Sequence, residues 1–276
     1  MSGAGESACS SRGEPLALGE ACTDLTMSTG NVISMRGVRR RAGQGTTEEL
    51  MSSLDHMLDI IRPAKGELDR PSVVMAVPCA CYSVSLGEEE REPLSITVKL
   101  FPVGLDTDAV RQAVERALTE LSVKQVEAIV LSNPLPWEEM TLEQLLPLWR
   151  VLEQFHAQQK VAYLGLADVE QSLFEAICQC DQVEVKPSLL QINLTNCCSV
   201  PDDLRDFCRQ RDVQILTHND AQEVLPGAVL RPLLSKHLAL AEPQRWSLVW
   251  SLRYLVMVQH KGVIKNKGYI VHVTRS

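Results

Sequence analysis

Apolar positions along this chain alternate between a spacing of two and a spacing near 3.6, which predicts strands and helices in turn. Leu189, Leu190, Ile192 and Leu194 form a run long enough for one strand and too short for a helix. Ser199 can cap the next helix and Pro201 is tolerated in its first turn, with Leu204, Phe207 and Cys208 at helical spacing. Val213, Ile215 and Leu216 form a second apolar run. Strand, helix and strand in about thirty residues make a βαβ crossover, with parallel strands and a helix over one face.

The same unit recurs upstream. Residues 1–25 read as a flexible tail, leaving 26–276 as one domain, and Thr29–Ile33 as a turn into a first strand. Thr46 and Thr47 precede an amphipathic helix with Leu50, Leu54, Met57, Leu58 and Ile61, ended by Pro63. Val73–Val84 and Ile96–Phe101 read as strands. Ala109 through Leu121 carries a helix face, and Ala128–Leu131 is a strand stopped by Asn133-Pro134. Thr141 with Gln144 makes a capping box before Leu145–Phe155, and Val161–Leu166 is another strand. Asp168 with Gln171 reads as a second cap. After Asp220 the pattern loosens around Pro226, Pro232 and Pro243. Trp246–Val256 reads as a helix and Gly262–Val273 as the last strand or hairpin. Strand-to-strand intervals near 25–35 residues are the rhythm of a (β/α) barrel, and a doubly wound open sheet fits it too.

Composition narrows the class. A chain of 276 residues with 45% hydrophobic content can bury a sizeable core, and a net charge of −8 argues against a nucleic-acid partner. No apolar run approaches the roughly 20 residues of a membrane span, and no signal peptide opens the chain, so a cytoplasmic protein is expected. Nine cysteines then read as reduced thiols. The basic cluster Arg36, Arg39, Arg40 and Arg41 reads as a solvated loop.

Candidate chemistry is sparse. No phosphate-cradling glycine motif and no metal-ligand spacing occurs, so neither a cofactor nor a metal site is expected. Lys99 sits inside an apolar strand, where a lysine either finds a partner or titrates at a shifted pKa; a lysine reaching solvent at a strand end is the alternative. His218 lacks an evident nucleophile to serve. Cys197 and Cys198 lie between a strand and a helix N-terminus, whose dipole favours thiolate. Neighbouring Cα atoms are about 3.8 Å apart where a disulfide prefers about 5.5 Å, so oxidation would link either thiol to another molecule. The C-terminal stretch combines Trp246, Trp250, Tyr254 and Arg253 with Lys265 and Lys267, a composition found at interface centres and equally in a core with solvated lysines.

V-K-L-F around Lys99, V-L-S-N-P at Val130–Pro134, Y-L-G-L-A-D at Tyr163–Asp168 and L-Q-I-N-L at Leu190–Leu194 resemble the aldo-keto reductase superfamily over most of residues 93–220. The resemblance implies an α/β fold of the (β/α)8 TIM-barrel type, here with a degenerate N-terminal half and a shortened C-terminus. It also implies a catalytic lysine at Lys99. The family's histidine position reads Ser132, its nicotinamide-holding pair reads Ala167-Asp168, and its glutamine is Gln191. The family's tyrosine belongs to a helix for which the interval between Val84 and Ser95 is too short, and Tyr82 lies within the expected strand. Gln191–Cys198, Leu216–Asp220, Leu252–Tyr254 and Gly262–Tyr269 resemble a narrower branch of non-catalytic regulatory subunits. That likeness implies a heterodimer with a ligase's catalytic subunit, which would carry the nucleotide and metal. Lys99 and Gln191 are then candidates for a residual pocket. An NADPH-dependent aldo-keto reductase is the competing reading.

Overall fold

The computed structural model describes residues 15–35, 43–61, 66–76, 93–135, 139–193, 200–240, 242–259 and 261–276. Their strands are β1 (Asp24–Ser28), β2 (Ser72–Ala76), β3 (Leu94–Pro102), β4 (Val126–Ser132), β5 (Val161–Ala167), β6 (Leu189–Asn193), β7 (Gln214–His218), β8 (Trp246–Val258) and β9 (Val263–Arg275). The helices are α1 (Thr46–Ile60), α2 (Thr107–Leu121), α3 (Leu142–Ala157), α4 (Gln171–Gln179), α5 (Asp202–Gln210) and α6 (Gly227–His237). The strands join in one sheet in the order β2-β1-β9-β8-β3-β4-β5-β6-β7. From β3 to β7 every pairing is parallel, with a helix in each crossover, as the repeat predicts.

Period two sorts each strand onto two faces. Ile96, Val98 and Leu100 of β3, Ile129 and Leu131 of β4 and Leu164 and Leu166 of β5 pack outward against α2 and α3 in the main core. The opposite face carries Ala128, Val130, Ala167 and Leu189, with Leu216 against them, and it also carries Lys99. Two of these inner residues are alanines, and the sheet they line is rolled. Across β3 to β7 lie four strand spacings, about 19 Å along a flat sheet. Yet Lys99 Nζ on β3 lies 3.4 Å from His218 Nε2 on β7. Only strong curvature brings two side chains of that length together. Gly165 lies at a close approach of β5 to β6: a Cβ there would sit 2.6 Å from Leu189 Cβ.

Four parts of the chain differ from the sequence expectation. The helix expected over Trp246–Val256 is the strand β8, which forms a long antiparallel hairpin with β9. Trp250, Leu252, Tyr254 and Val256 share its outer face at period two, while Ser251 and Arg253 stand between them on the other. The positions 246, 250 and 254 satisfy a helical spacing as well, which is how the pattern misleads. The hairpin lies between β1 and β3, antiparallel to both, so the sheet departs from a regular eightfold parallel barrel. The first strand precedes Thr29–Ile33, which instead holds a short 3-10 turn at Val32–Ser34. Within the expected tail, Leu16 bridges Leu238 and Cys22 is fully buried. The loose region after Asp220 contains α6, with Pro232 inside it. A second core, between α1, α6, β1 and β9, includes Leu50, Leu54, Met57, Leu230, Leu234, Tyr269 and Val271.

Candidate functional site

The inner face of the rolled sheet gathers charge at the C-terminal ends of β3 to β7. Asp220, two residues past β7, is 3% exposed and is the hub. Its carboxylate accepts from Lys99 Nζ at 2.9 Å, from Arg253 Nη1 at 2.5 Å and Nη2 at 3.1 Å, and from Thr46 Oγ1 at 2.5 Å. Its carbonyl accepts from Asn193 Nδ2 at 2.7 Å. One residue thus ties together α1, β3, β6 and β8. Register explains the two cations: Lys99 of β3 and Arg253 of β8 are paired positions on one face.

Asp168 completes the cluster from the end of β5. Its φ of +60° is a left-handed conformation that Asp tolerates better than most residues, and the carboxylate turns inward. It accepts from Ser132 Oγ at 3.0 Å and lies 2.9 Å from His218 Nε2 and 3.5 Å from Lys99 Nζ. The helix cap expected of Asp168 is therefore absent; Glu170 precedes α4 without a side-chain cap bond. Thr46 likewise serves Asp220 and not its own helix, whose N-cap is Gly45.

The neighbours set the ionisation. Burial alone would raise the Asp220 pKa. His218, Arg253 and Lys99 outweigh it and hold the carboxyl well below the usual carboxylate range. Asp168 is also lowered: burial opposes this, while the His218 hydrogen bond and the Lys99 charge prevail. For Lys99 burial dominates and lowers the ammonium pKa, partly offset by Asp168 and Asp220. Burial would lower His218 as well, but hydrogen bonds to Asp168 and Asp220 leave it raised. When neutral with hydrogen on Nε2, the ring gives it to Asp168, while Nδ1 accepts the Asp220 backbone N–H at 3.2 Å. When protonated, Nδ1–H faces Asp220 Oδ2 at 3.2 Å.

This arrangement holds charge in place and offers little to a reacting group. Lys99 is 2% exposed and bracketed by two carboxylates. Neither buried phenol reaches it. Tyr254 OH donates to Gly30 O at 2.8 Å, and Tyr269 OH donates to Glu49 Oε1 at 2.7 Å. Tyr82 lies outside the described residues.

A cavity of about 230 Å³ opens beside the cluster, lined by Ser132, Asp168, Gln171, Phe174, Gln191 and Asn193 among others. Gln191 Oε1 is buried there without a partner among the described residues. A nicotinamide dinucleotide does not fit these residues. Ala167 has no polar side-chain atom, Asp168 is already engaged, and the cavity is smaller than the roughly 300–1,000 Å³ of pockets for drug-sized ligands. Among the described residues no cluster of His, Cys, Asp or Glu could hold a metal ion.

Of the residues singled out from the sequence, the structure brings together Lys99, Ser132, Asp168, His218 and Arg253, with Gln191 alongside. Trp246, Trp250 and Tyr254 are core residues, each at most 2% exposed. Lys267 pairs with Glu49 at 2.5 Å, and Lys265 is exposed near the tip of the β8–β9 hairpin. Cys79, Cys81, Cys197, Cys198 and the arginine cluster at 36–41 lie outside the described residues. Sequence reasoning missed Asp220 as the hub and Thr46 as its partner. Asp220 follows a strand end and an inward-facing His218, which was the available signal.

Comparison with known proteins agrees with this geometry. The aldo/keto reductase family model matches residues 80–220. The glutamate–cysteine ligase regulatory subunit of Rattus norvegicus is 32% identical over 264 residues, 91% of this chain and 93% of the relative. That of Homo sapiens is 32% identical over 261 residues, with the same coverage. The chain belongs to the glutamate–cysteine ligase regulatory subunit family. It keeps the aldo/keto reductase fold while its charged cluster is closed on itself. A solved aldo-keto reductase from a Medee basin deep-sea metagenome library overlaps 48% of this chain and 44% of its own, at 16% identity and a TM-score of 0.38.

Proposed function

We propose that this chain is a non-catalytic regulatory subunit that binds the catalytic subunit of glutamate–cysteine ligase. In that heterodimer it improves the use of glutamate and relieves feedback inhibition by glutathione, in the first step of glutathione biosynthesis. The observation that carries the reading is the 32% identity to regulatory subunits over 91% of the chain. The site supports it. Lys99 is the lysine expected of a reductase, but its charge is bound between Asp220 and Asp168, and Ser132 stands where the resemblance expects a histidine. A reused fold does not carry its chemistry along once the reacting groups are changed. Among the described residues no helix is long and apolar enough to cross a membrane, in keeping with action in the cytoplasm. The test is co-purification with the catalytic subunit, followed by ligase kinetics with and without this chain. A lower KM for glutamate and a higher inhibition constant for glutathione are expected. No complex, or unchanged kinetics in a complex, would overturn the reading.

A further inference from the structure

We infer that the free edge of β7 takes up an extended segment of the catalytic subunit as an added strand, an assignment that rests on the proposed function. β7 is the last strand of the sheet, and among the described residues nothing pairs with it on the side away from β6. The Gln214 N–H donates to Ser188 O on the β6 side. Backbone groups alternate sides along a strand, so Gln214, Leu216 and His218 address β6 while Ile215 and Thr217 turn theirs outward. Two N–H and two C=O groups are thereby presented in line, the template that strand addition uses.

Among the described residues, no helix covers the outer face beside this edge. In a regular barrel the next helix would pack there, but α6 turns to α1 and buries Leu230 and Leu234 in the second core. What remains is a groove of about 530 Å³ between α5 and β7, lined by Val200, Cys208, Val213, Ile215, Arg205 and Arg209 among others. Buried Cys208 and Val213 form its floor, Asp212 and Thr217 add polar groups to its lining, and the two arginines are 52% and 73% exposed. Their partners Asp202 and Asp206 are exposed neighbours on the same helix, weak pairs that an incoming carboxylate can replace. The occupant is therefore an extended segment with apolar side chains toward the groove and a carboxylate opposite Arg205 and Arg209.

Hydrogen exchange of the full chain, alone and with the catalytic subunit, tests the assignment. The Ile215 and Thr217 amides should exchange markedly more slowly in the complex. Thr217→Pro removes an outward N–H that β6 does not use, and should weaken binding about tenfold with the fold intact by circular dichroism. Should that variant fail to fold, Arg205→Glu/Arg209→Glu, on exposed positions, should weaken binding comparably. A complex that forms with no protection at 215 and 217, or with affinity unchanged in a folded variant, overturns the edge assignment alone. Failure of the wild-type chain to bind the catalytic subunit overturns both this and the regulatory reading.

Discussion

Lys99 of β3 and Asp220, just past the end of β7, meet at 2.9 Å inside the rolled sheet, their side chains each only 2% exposed, although β3 and β7 are four positions apart in the sheet order. Removing one partner of a buried pair leaves an uncompensated charge, so Asp220→Ala should cost about 3–5 kcal/mol. Lys99→Met should cost less, because Arg253 and Thr46 still hold the Asp220 carboxylate. The combined change should cost less than the sum of the two. Urea denaturation measures all three, and an Asp220→Ala as stable as wild type would remove the hub role.

Stability should respond to pH through His218. Its folded pKa is raised above about 6.5, so its contribution is complete below that value and is lost as pH rises through the folded pKa. The stability difference between wild type and His218→Gln should therefore shrink as pH rises above about 6.5. Asp168 and Asp220 act oppositely. Their depressed pKa values stabilise above about pH 4, and that contribution is lost as pH falls further. A His218→Gln difference that grew with pH would contradict the hydrogen bonds to Asp168 and Asp220.

Incubation with NADPH and a panel of aldehydes should give no turnover above buffer. The loss of an acid–base group typically lowers rate by about 10²–10⁴, and here Ser132 replaces one such group while Lys99 is closed in. Turnover that Lys99→Met abolishes would reverse this conclusion.

Gly165→Ala should destabilise the chain by about 1–3 kcal/mol, the range for overpacking a dense interior. The added methyl meets Leu189 Cβ at 2.6 Å and Leu189 O at 2.9 Å, and backbone cannot move aside as a flexible side chain can. Thermal unfolding would show it, and Leu189→Ala in the same chain should not restore stability, since alanine keeps both the Cβ and the carbonyl.

Thiol reactivity should follow burial. Cys178 is pushed up to about 11 by burial, with Cys208 nearby adding to it, and the Cys208 thiol is itself raised by burial. Both should resist iodoacetamide at neutral pH until the chain unfolds, while Cys180, partly exposed, reacts earlier. Mass spectrometry of the modified peptides distinguishes the order.

The parallel half of the fold was legible because each of its elements repeats one pattern. Outward apolar residues at period two and helices with a clear apolar face, such as Ala109–Leu121, leave little choice. Lys99 stood out because a charge interrupts such a run. Arg253 could not be placed beside it. That requires β8 to be a strand in register with β3, and Trp246, Trp250 and Tyr254 fit helix spacing as well as strand spacing. Asp220 escaped for a related reason: it lies in a loop, where no periodicity reports direction, and only the curvature of the sheet aims it at β3.

The β8–β9 hairpin also sets the order in which the sheet can assemble. Among the described residues, β1 with β2 on one side and β3 to β7 on the other are joined in the sheet only through it. As the chain leaves the ribosome, the two groups of strands share no ladder until residues 246–275 have been made. Pairings such as Leu25 with Val273 and Met27 with Val271 join positions almost a chain length apart. Closure at that distance is slow relative to local folding. Before it happens, the one side of β1 and the one side of β3 that will face the hairpin are bare edges, the surfaces that chaperones and aggregating neighbours recognise.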